Sequence, residues 1–252
     1  RHGQMCIRDR GINIGSETTG LITYMRTDGV QLSSQAIEEL REEIINRHGK
    51  DYIPQIPRVY KSKAANAQEA HEAIRPTSIS RDPEDMSQNL DTEQLKLYEL
   101  IWKRTISSQM QSAELDETSA DISNKDMSII FRANGSQVSF PGFFIYRDRE
   151  DDKILPKLLE NDKVDLQKAD GEQHFTQPPP RYTDATLIKK MEELGIGRPS
   201  TYASILQVLI NRSYVEKEKG KHLPQERGRI LTAFLNNFFG QYIDCLLYTS
   251  PS

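Results

Sequence analysis

Cysteine is almost missing: there are two in 252 residues, Cys6 and Cys245, near opposite ends and outside any CxxC pair. That spacing supports neither a zinc ribbon nor a disulfide framework. No apolar run approaches the roughly 18 residues of a membrane-spanning helix, and the opening Arg1-His2-Gly3-Gln4 lacks the apolar segment of a secretory signal, so the expected compartment is the cytoplasm. Glycine-rich phosphate loops and Walker sequences are absent, which removes ATP as an implied energy source, and no acidic triplet marks a Mg²⁺ site. The His71-Glu72 pair lacks the second histidine of a zinc-protease helix. Repeats and low-complexity tracts are missing too.

What is present is a polar chain, 36% hydrophobic and 28% charged with net charge −4, long enough for one or two cores. The average hides an alternation. Two cation-rich stretches, 56–81 and 181–230, flank an acidic one, 82–126. This suits a protein that meets nucleic acid with one face, although ordinary solvated faces give the same pattern.

The periodicities predict mixed α and β structure in several domains. Ser33-Ser34 caps a helix with Ile37, Leu40, Ile44 and Ile45 inward, closed at His48-Gly49. A short helix is expected over Ala64–Ala73, and Asp91-Thr92-Glu93-Gln94 reads as a capping box opening a long helix that carries Tyr98, Trp102 and Ile106. Beyond Ala113 the pattern turns β-like, with Met127–Phe131, Gln137–Phe140, Phe143–Tyr146 and Lys163–Gln167 as strands and Asn134-Gly135 and Pro141-Gly142 as turns. Gln177–Arg181 is a stiff proline linker. After it, Thr183 caps a helix stopped at Gly195-Ile196-Gly197, Ser200 caps a second, Tyr214–Leu223 forms a hairpin, and Gly228–Tyr242 is a last helix. The whole resembles a helix-turn-helix with a wing.

One crowded stretch carries the chemistry: Gly20-Leu21-Ile22-Thr23-Tyr24-Met25-Arg26-Thr27-Asp28. A phenol has an ordinary pKa near ~10 and needs help to act as a nucleophile. In an extended segment residues 24 and 26 share a side, so the Arg26 guanidinium would lie beside the Tyr24 oxygen and grip a phosphate with its planar fork of donors. Asp28 would orient Arg26 or bind a hydroxyl. The alternatives stay open: Tyr24 as a packing residue at a strand end, and Arg26 as a surface partner of Asp28. His71, Glu72 and Arg75 form a second block that reads as a phosphate-contacting patch or as ordinary helix surface. In Gly195–Tyr202, helix-start amides sit beside Arg198, Ser200 and Thr201, and Tyr202 is expected as a stacking ring, although a simple capped turn would look the same.

Three segments together, Gly20–Asp28, Ala67–Pro76 and Pro178–Tyr182 with Gly195–Ala203, resemble bacterial DNA topoisomerase I, of the type IA topoisomerases. Met25 favours that branch over topoisomerase III, which usually has proline there. The resemblance spans about Gly11 to Asp244. It implies ATP-independent relaxation of negatively supercoiled DNA: Tyr24 attacks a single-stranded phosphodiester to give a 5′-phosphotyrosine, a strand passes, and the break is resealed. It further implies that Arg26 supports cleavage, with Asp28 and His71 as possible helpers, and that Thr27, His71, Arg75, Arg181, Arg198, Ser200, Thr201 and Tyr202 contact DNA.

The expected layout is a catalytic-tyrosine domain at 11–106, a β-rich hinge at 107–177 and a helical single-strand-binding segment at 178–244, with winged-helix-like helical parts joined by the small β domain. Residues 1–10 and 245–252 are expected to be foreign tails resembling translated sequencing-adapter sequence. The family's Mg²⁺ is held by a Toprim domain that this chain does not resemble, so an internal fragment inactive in relaxation is expected, acting in the full enzyme as a nucleoid-associated monomer. The alternatives are a non-enzymatic winged-helix DNA-binding protein and a plain scaffold.

Overall fold

The computed structural model describes residues 7, 11–14, 17–25, 29–60, 72–149 and 151–243. The chain separates into two compact units, one containing Val30–Tyr60 and Glu72–Asp170 with the chain up to Met25, the other centred on Gly171–Ser252. Among the described residues the structure is mixed α/β, with five α-helices and three two-stranded antiparallel sheets. No described helix is long and apolar enough to cross a membrane. The helix expected over Ala64–Ala73 lies mostly outside the described residues.

In the first unit, strands β1 (Ile12–Ile14) and β2 (Glu17–Thr19) form a small ribbon. Helix α1 spans Ser34–His48, where Ser33 Oγ accepts from the Ala36 N–H and Gly49, at φ 94°, ends the helix by donating to the Ile45 carbonyl. Ala36, Leu40 and Ile44 recur at every fourth position and are buried, while Arg47 and His48 sit where the helix dipole favours cations. Helix α2 spans Thr92–Ser108 behind the full Asp91–Gln94 capping box. Its buried stripe is Tyr98, Trp102, Thr105 and Ile106. Each large apolar side chain so buried contributes about 1.5–3 kcal/mol before entropy is counted. These stripes join Leu21, Ile22, Ile79, Met86, Leu90 and Met110 in one core. Trp102 Nε1 donates to the Ile79 carbonyl at 2.8 Å and the Tyr98 hydroxyl to the Arg81 carbonyl at 2.8 Å, so α2 fixes residues 79–81. Burial pushes the Tyr98 phenol up to about 12.

The β region departs from expectation. Strands β3 (Glu114–Ser123) and β4 (Ile130–Phe140) make a single long hairpin, with Ser123 opposite Ile130 and Asp116 opposite Gln137. Asn134-Gly135, expected as a turn, lies inside β4 opposite Ser119 and Thr118. Glycine is needed there for close approach: a Cβ would lie 2.8 Å from the Lys153 carbonyl oxygen, because Ser136 and Lys153 bridge through their backbones. The real turn is at 124–129, where Asn124 Oδ1 accepts from the Ile129 N–H. Phe143–Tyr146 is part of a 3₁₀ turn, Gly142–Tyr146, not a strand. The Phe143 N–H bonds to Gln111, and the Tyr146 ring packs edge-on to Trp102, so tertiary contacts override its β propensity. Lys163–Gln167 forms no strand either; it is exposed and pairs with no described residue.

In the second unit, helix α3 (Asp184–Glu193) opens on a Thr183–Thr186 capping box. Gly195 and Gly197 take φ 71° and 77° before helix α4 (Tyr202–Asn211). Its N-cap is Thr201, one residue beyond the expected Ser200, since the Thr201 hydroxyl bonds back to Arg198 and closes the turn there. Strands β5 (Val215–Glu218) and β6 (Lys221–Pro224) form the expected hairpin, and helix α5 covers Glu226–Phe238. Between the strands, Lys219 and Gly220 both have positive φ, the signature of a tight two-residue turn.

Candidate active site

Leu21 and Ile22 are 0% and 2% exposed, Thr23 is half-buried, and the next side chain, Tyr24, is 61% exposed. The apolar pair anchors the segment and leaves the phenol at the surface. Ile22 forms an isolated antiparallel bridge with Pro76, where Thr23 N–H donates to the Arg75 carbonyl at 2.9 Å and Thr77 N–H to the Leu21 carbonyl at 2.9 Å. Thr77 Oγ1 adds a 2.7 Å bond to the Gly20 carbonyl. Residues 21–23 of the first motif block and 75–77 at the end of the second are thus brought together by backbone pairing across about fifty positions.

Side chains tighten the junction. Thr23 Oγ1 donates to the Ala73 carbonyl at 3.1 Å and accepts from the Arg75 N–H at 3.0 Å. Glu72 accepts from Arg75 Nε at 2.8 Å and from the Ser33 N–H at 3.0 Å, which links the block to the cap of α1. Ala73 N–H adds a bond to the Gln31 carbonyl. Burial alone would raise the Glu72 carboxyl; the hydrogen bonds from Arg75 and Ser33 outweigh it and hold the group below its ordinary value. Arg26, Thr27, Asp28 and His71 lie outside the described residues.

In the second unit Arg181, Arg198, Ser200 and Thr201 are exposed. Arg198 is fixed by its own turn, with its N–H on Thr201 Oγ1 at 2.9 Å and Nη1 on the Gly197 carbonyl at 2.7 Å. Tyr202, expected at the surface, is instead 8% exposed. A Cβ on Gly197 would come within 3.2 Å of its ring, so the tyrosine packs beneath the glycine turn and is not a free stacking platform in this conformation.

Sequence reasoning passed over Thr23 and treated Glu72 only as part of a patch. The available signal was position: Thr23 directly precedes the phenol in an extended segment, so its side chain points away from Tyr24 and toward whatever backs the strand. Among the described residues no group of three or more His, Cys, Asp or Glu could hold a metal ion, so those residues do not fit a Mg²⁺ site. The arrangement offers an exposed phenol on a rigid edge, chemistry suited to covalent attack on an electrophile held in front of it.

The sequence matches the DNA topoisomerase family over residues 17–248. It is 51% identical over 241 residues to DNA topoisomerase 1 of Rickettsia bellii, covering 93% of this chain and 30% of that protein. To DNA topoisomerase 1 of Zymomonas mobilis it is 48% identical over 236 residues, 89% of this chain and 19% of the relative. Full-length topoisomerase I from Thermotoga maritima superimposes with a TM-score of 0.77 at 31% identity, over 97% of this chain and 39% of that one. The chain therefore spans less than a third of the length of these two curated relatives.

Proposed function

The chain belongs to the DNA topoisomerase family, a family of isomerases, and we propose that it carries the tyrosine half of a type IA strand-cleavage site acting on single-stranded segments of negatively supercoiled DNA. The observation that carries this reading is Tyr24, exposed at the end of a segment otherwise locked into the core. In the proposed reaction the Tyr24 oxygen attacks phosphorus and the bond from phosphorus to the 3′-oxygen breaks. The phenolic proton is lost, and the departing oxygen takes one up to become a free 3′-hydroxyl. The DNA 5′-phosphate remains on the tyrosine, and attack by the hydroxyl reverses each step. Bond energy is conserved in the ester, so no ATP is consumed.

Arg26 is assigned the charge building on the phosphate, with Asp28 and His71 as helpers and Thr27 beside them. Arg181, Arg198, Ser200 and Thr201 are assigned to the path of the single strand, where exposed cations and hydroxyls suit phosphate contacts. The complete cycle, in a nucleoid-associated monomer, is assigned to the longer enzyme, whose Toprim domain would hold Mg²⁺. Alone, this chain is expected to bind single strands weakly and not to relax plasmid DNA.

A suicide oligonucleotide, whose short leaving piece diffuses away after cutting, tests the reading when the chain is supplemented with a Toprim domain. The expected result is a covalent adduct stable to denaturant and lost in Tyr24→Phe. Salt-dependent DNA binding without any adduct would replace this reading with a non-enzymatic winged-helix binder, which the two helices and hairpin of the second unit favour.

A further inference from the structure

In the Tyr24 segment the Thr23 side chain makes attachments that the cleavage chemistry leaves unused. The Thr23 hydroxyl is both donor and acceptor toward residues 73 and 75. Arg75 is turned inward: Nε lies 2.8 Å and Nη2 3.4 Å from the two Glu72 oxygens, and Nη1 lies 3.0 Å from the Pro76 carbonyl. All three guanidinium nitrogens have partners within the chain, and the side chain is 18% exposed. A neutralised, forked pair of this kind attracts a polyanion weakly, since a phosphate would first have to displace a bidentate carboxylate. Glu72 in turn holds the Ser33 N–H at the head of α1. The chain of contacts therefore runs from the helix cap through Glu72 and Arg75 to Thr23, the residue bonded to Tyr24.

We propose that Thr23, Glu72 and Arg75 are a positioning lock for Tyr24, and that Arg75 serves cleavage through Thr23 and Glu72 and not by contacting DNA phosphate. This rests on the strand-cleavage reading for its catalytic consequence; the lock itself is a property of the fold. A hydroxyl is required at position 23 because one atom must both give and accept a hydrogen bond. Serine can do this and valine, of nearly the same shape as threonine, cannot. Fixing the backbone on one side of the phenol sets where its oxygen stands relative to a bound phosphate, and misplacement by about 1 Å can slow such a step by about a hundredfold.

Three measurements on the 252-residue chain decide it. Amide hydrogen exchange should show the Thr23, Arg75 and Thr77 amides protected, with the Arg75 amide losing protection in Thr23→Val and keeping it in Thr23→Ser. Binding of oligo-dT measured against salt should give the same log–log slope for the unmodified chain and Arg75→Gln; a true phosphate contact would shrink the slope by about 0.7. With a Toprim domain supplied, Thr23→Val should form the oligonucleotide adduct at least tenfold more slowly at saturating DNA with its DNA affinity within twofold, and Thr23→Ser should recover most of the rate. A reduced salt slope in Arg75→Gln, an unprotected Arg75 amide in the unmodified chain, or unchanged cleavage by Thr23→Val would overturn the proposal. If the unmodified chain forms no adduct, the cleavage reading falls instead, and the exchange experiment still decides whether the lock exists.

Discussion

In the second unit one carboxylate, Asp184, bonds two side chains of the hairpin, and removing it should be disproportionately costly. Asp184, the first residue of α3, accepts from Lys217 Nζ at 2.5 Å and pairs with His222 Nε2 at 2.7 Å. The two contacts differ in surroundings. Lys217 and Asp184 are 40% and 47% exposed, so their ion pair contributes under about 1 kcal/mol. The His222 side chain is 4% exposed, and its Nδ1 has no hydrogen-bond partner among the described residues, so Asp184 is what satisfies the ring. Losing that partner leaves a buried polar group unpaired at about 1–3 kcal/mol. The negative charge in the first turn of α3 adds about 0.3–1 kcal/mol through the helix dipole.

Asp184→Ala is therefore expected to destabilise the second unit by about 2–4 kcal/mol, taking these contributions together. Lys217→Met, which leaves His222 paired, should cost under about 1 kcal/mol. Urea unfolding gives the totals, and hydrogen exchange at His222, whose N–H bonds to the Tyr182 carbonyl at 2.8 Å, locates the loss in the hairpin. The hydrogen bond from Lys217, then that from His222, holds the Asp184 carboxyl below its ordinary value against desolvation. For a depressed carboxyl the stability is present above its unfolded pKa of about 4 and disappears as pH falls through the folded value, so the difference between Asp184→Ala and the unmodified chain should close in acid. Equal effects of Asp184→Ala and Lys217→Met would refute this account.

Two further predictions concern the first unit. Gly142 has φ 46° and an added Cβ would lie 2.6 Å from the Gln111 and Ser112 carbonyl oxygens, so Gly142→Ala combines a conformational penalty of about 1–2 kcal/mol with a backbone clash. Gly49→Ala meets nothing within 4 Å and, at φ 94° and ψ 174°, should cost about 1–3 kcal/mol of backbone strain with no clash added, a difference readable in denaturant unfolding. His48 hydrogen-bonds the Tyr146 hydroxyl at 2.7 Å, and burial, followed by repulsion from Arg47, lowers its pKa. The neutral ring is the favoured folded form, so its contribution is full above the unfolded value of about 6.5 and falls away as pH drops through the folded one; His48→Gln should flatten the stability–pH curve in that window.

The parts of the fold that were legible are those whose cause is local. Ser33, Asp91 and Thr183 each satisfy helix-start amides within three residues, so their caps could be read directly. Asn134-Gly135 looked like a turn because the crossing of Lys153, which makes the glycine necessary, is remote in sequence. Ser200 lost its place as cap for the opposite reason, competition at very short range from the Thr201 hydroxyl. At the site, the Tyr24 motif could be recognised, but Thr23 was opaque because its partners lie about fifty positions away.

Charge shows the same limit and changes where a polyanion should bind. The stretch 56–81 reads as a cationic patch, yet Arg58 is spent on the Met110 carbonyl and Ser112, Arg75 on Glu72 and Pro76, and Arg81 on Thr77. Of these only Arg75 is paired with a carboxylate, and a cation so neutralised offers little counterion release. Counting signs along the window therefore overstates what its described arginines offer: Arg58, Arg75 and Arg81 are half-buried, whereas Arg181 and Arg198 in the second unit are exposed. On the proposed reading, then, the single-strand contacts would fall mainly on Arg181 and Arg198, and Tyr24 would be the first unit's part in cleavage.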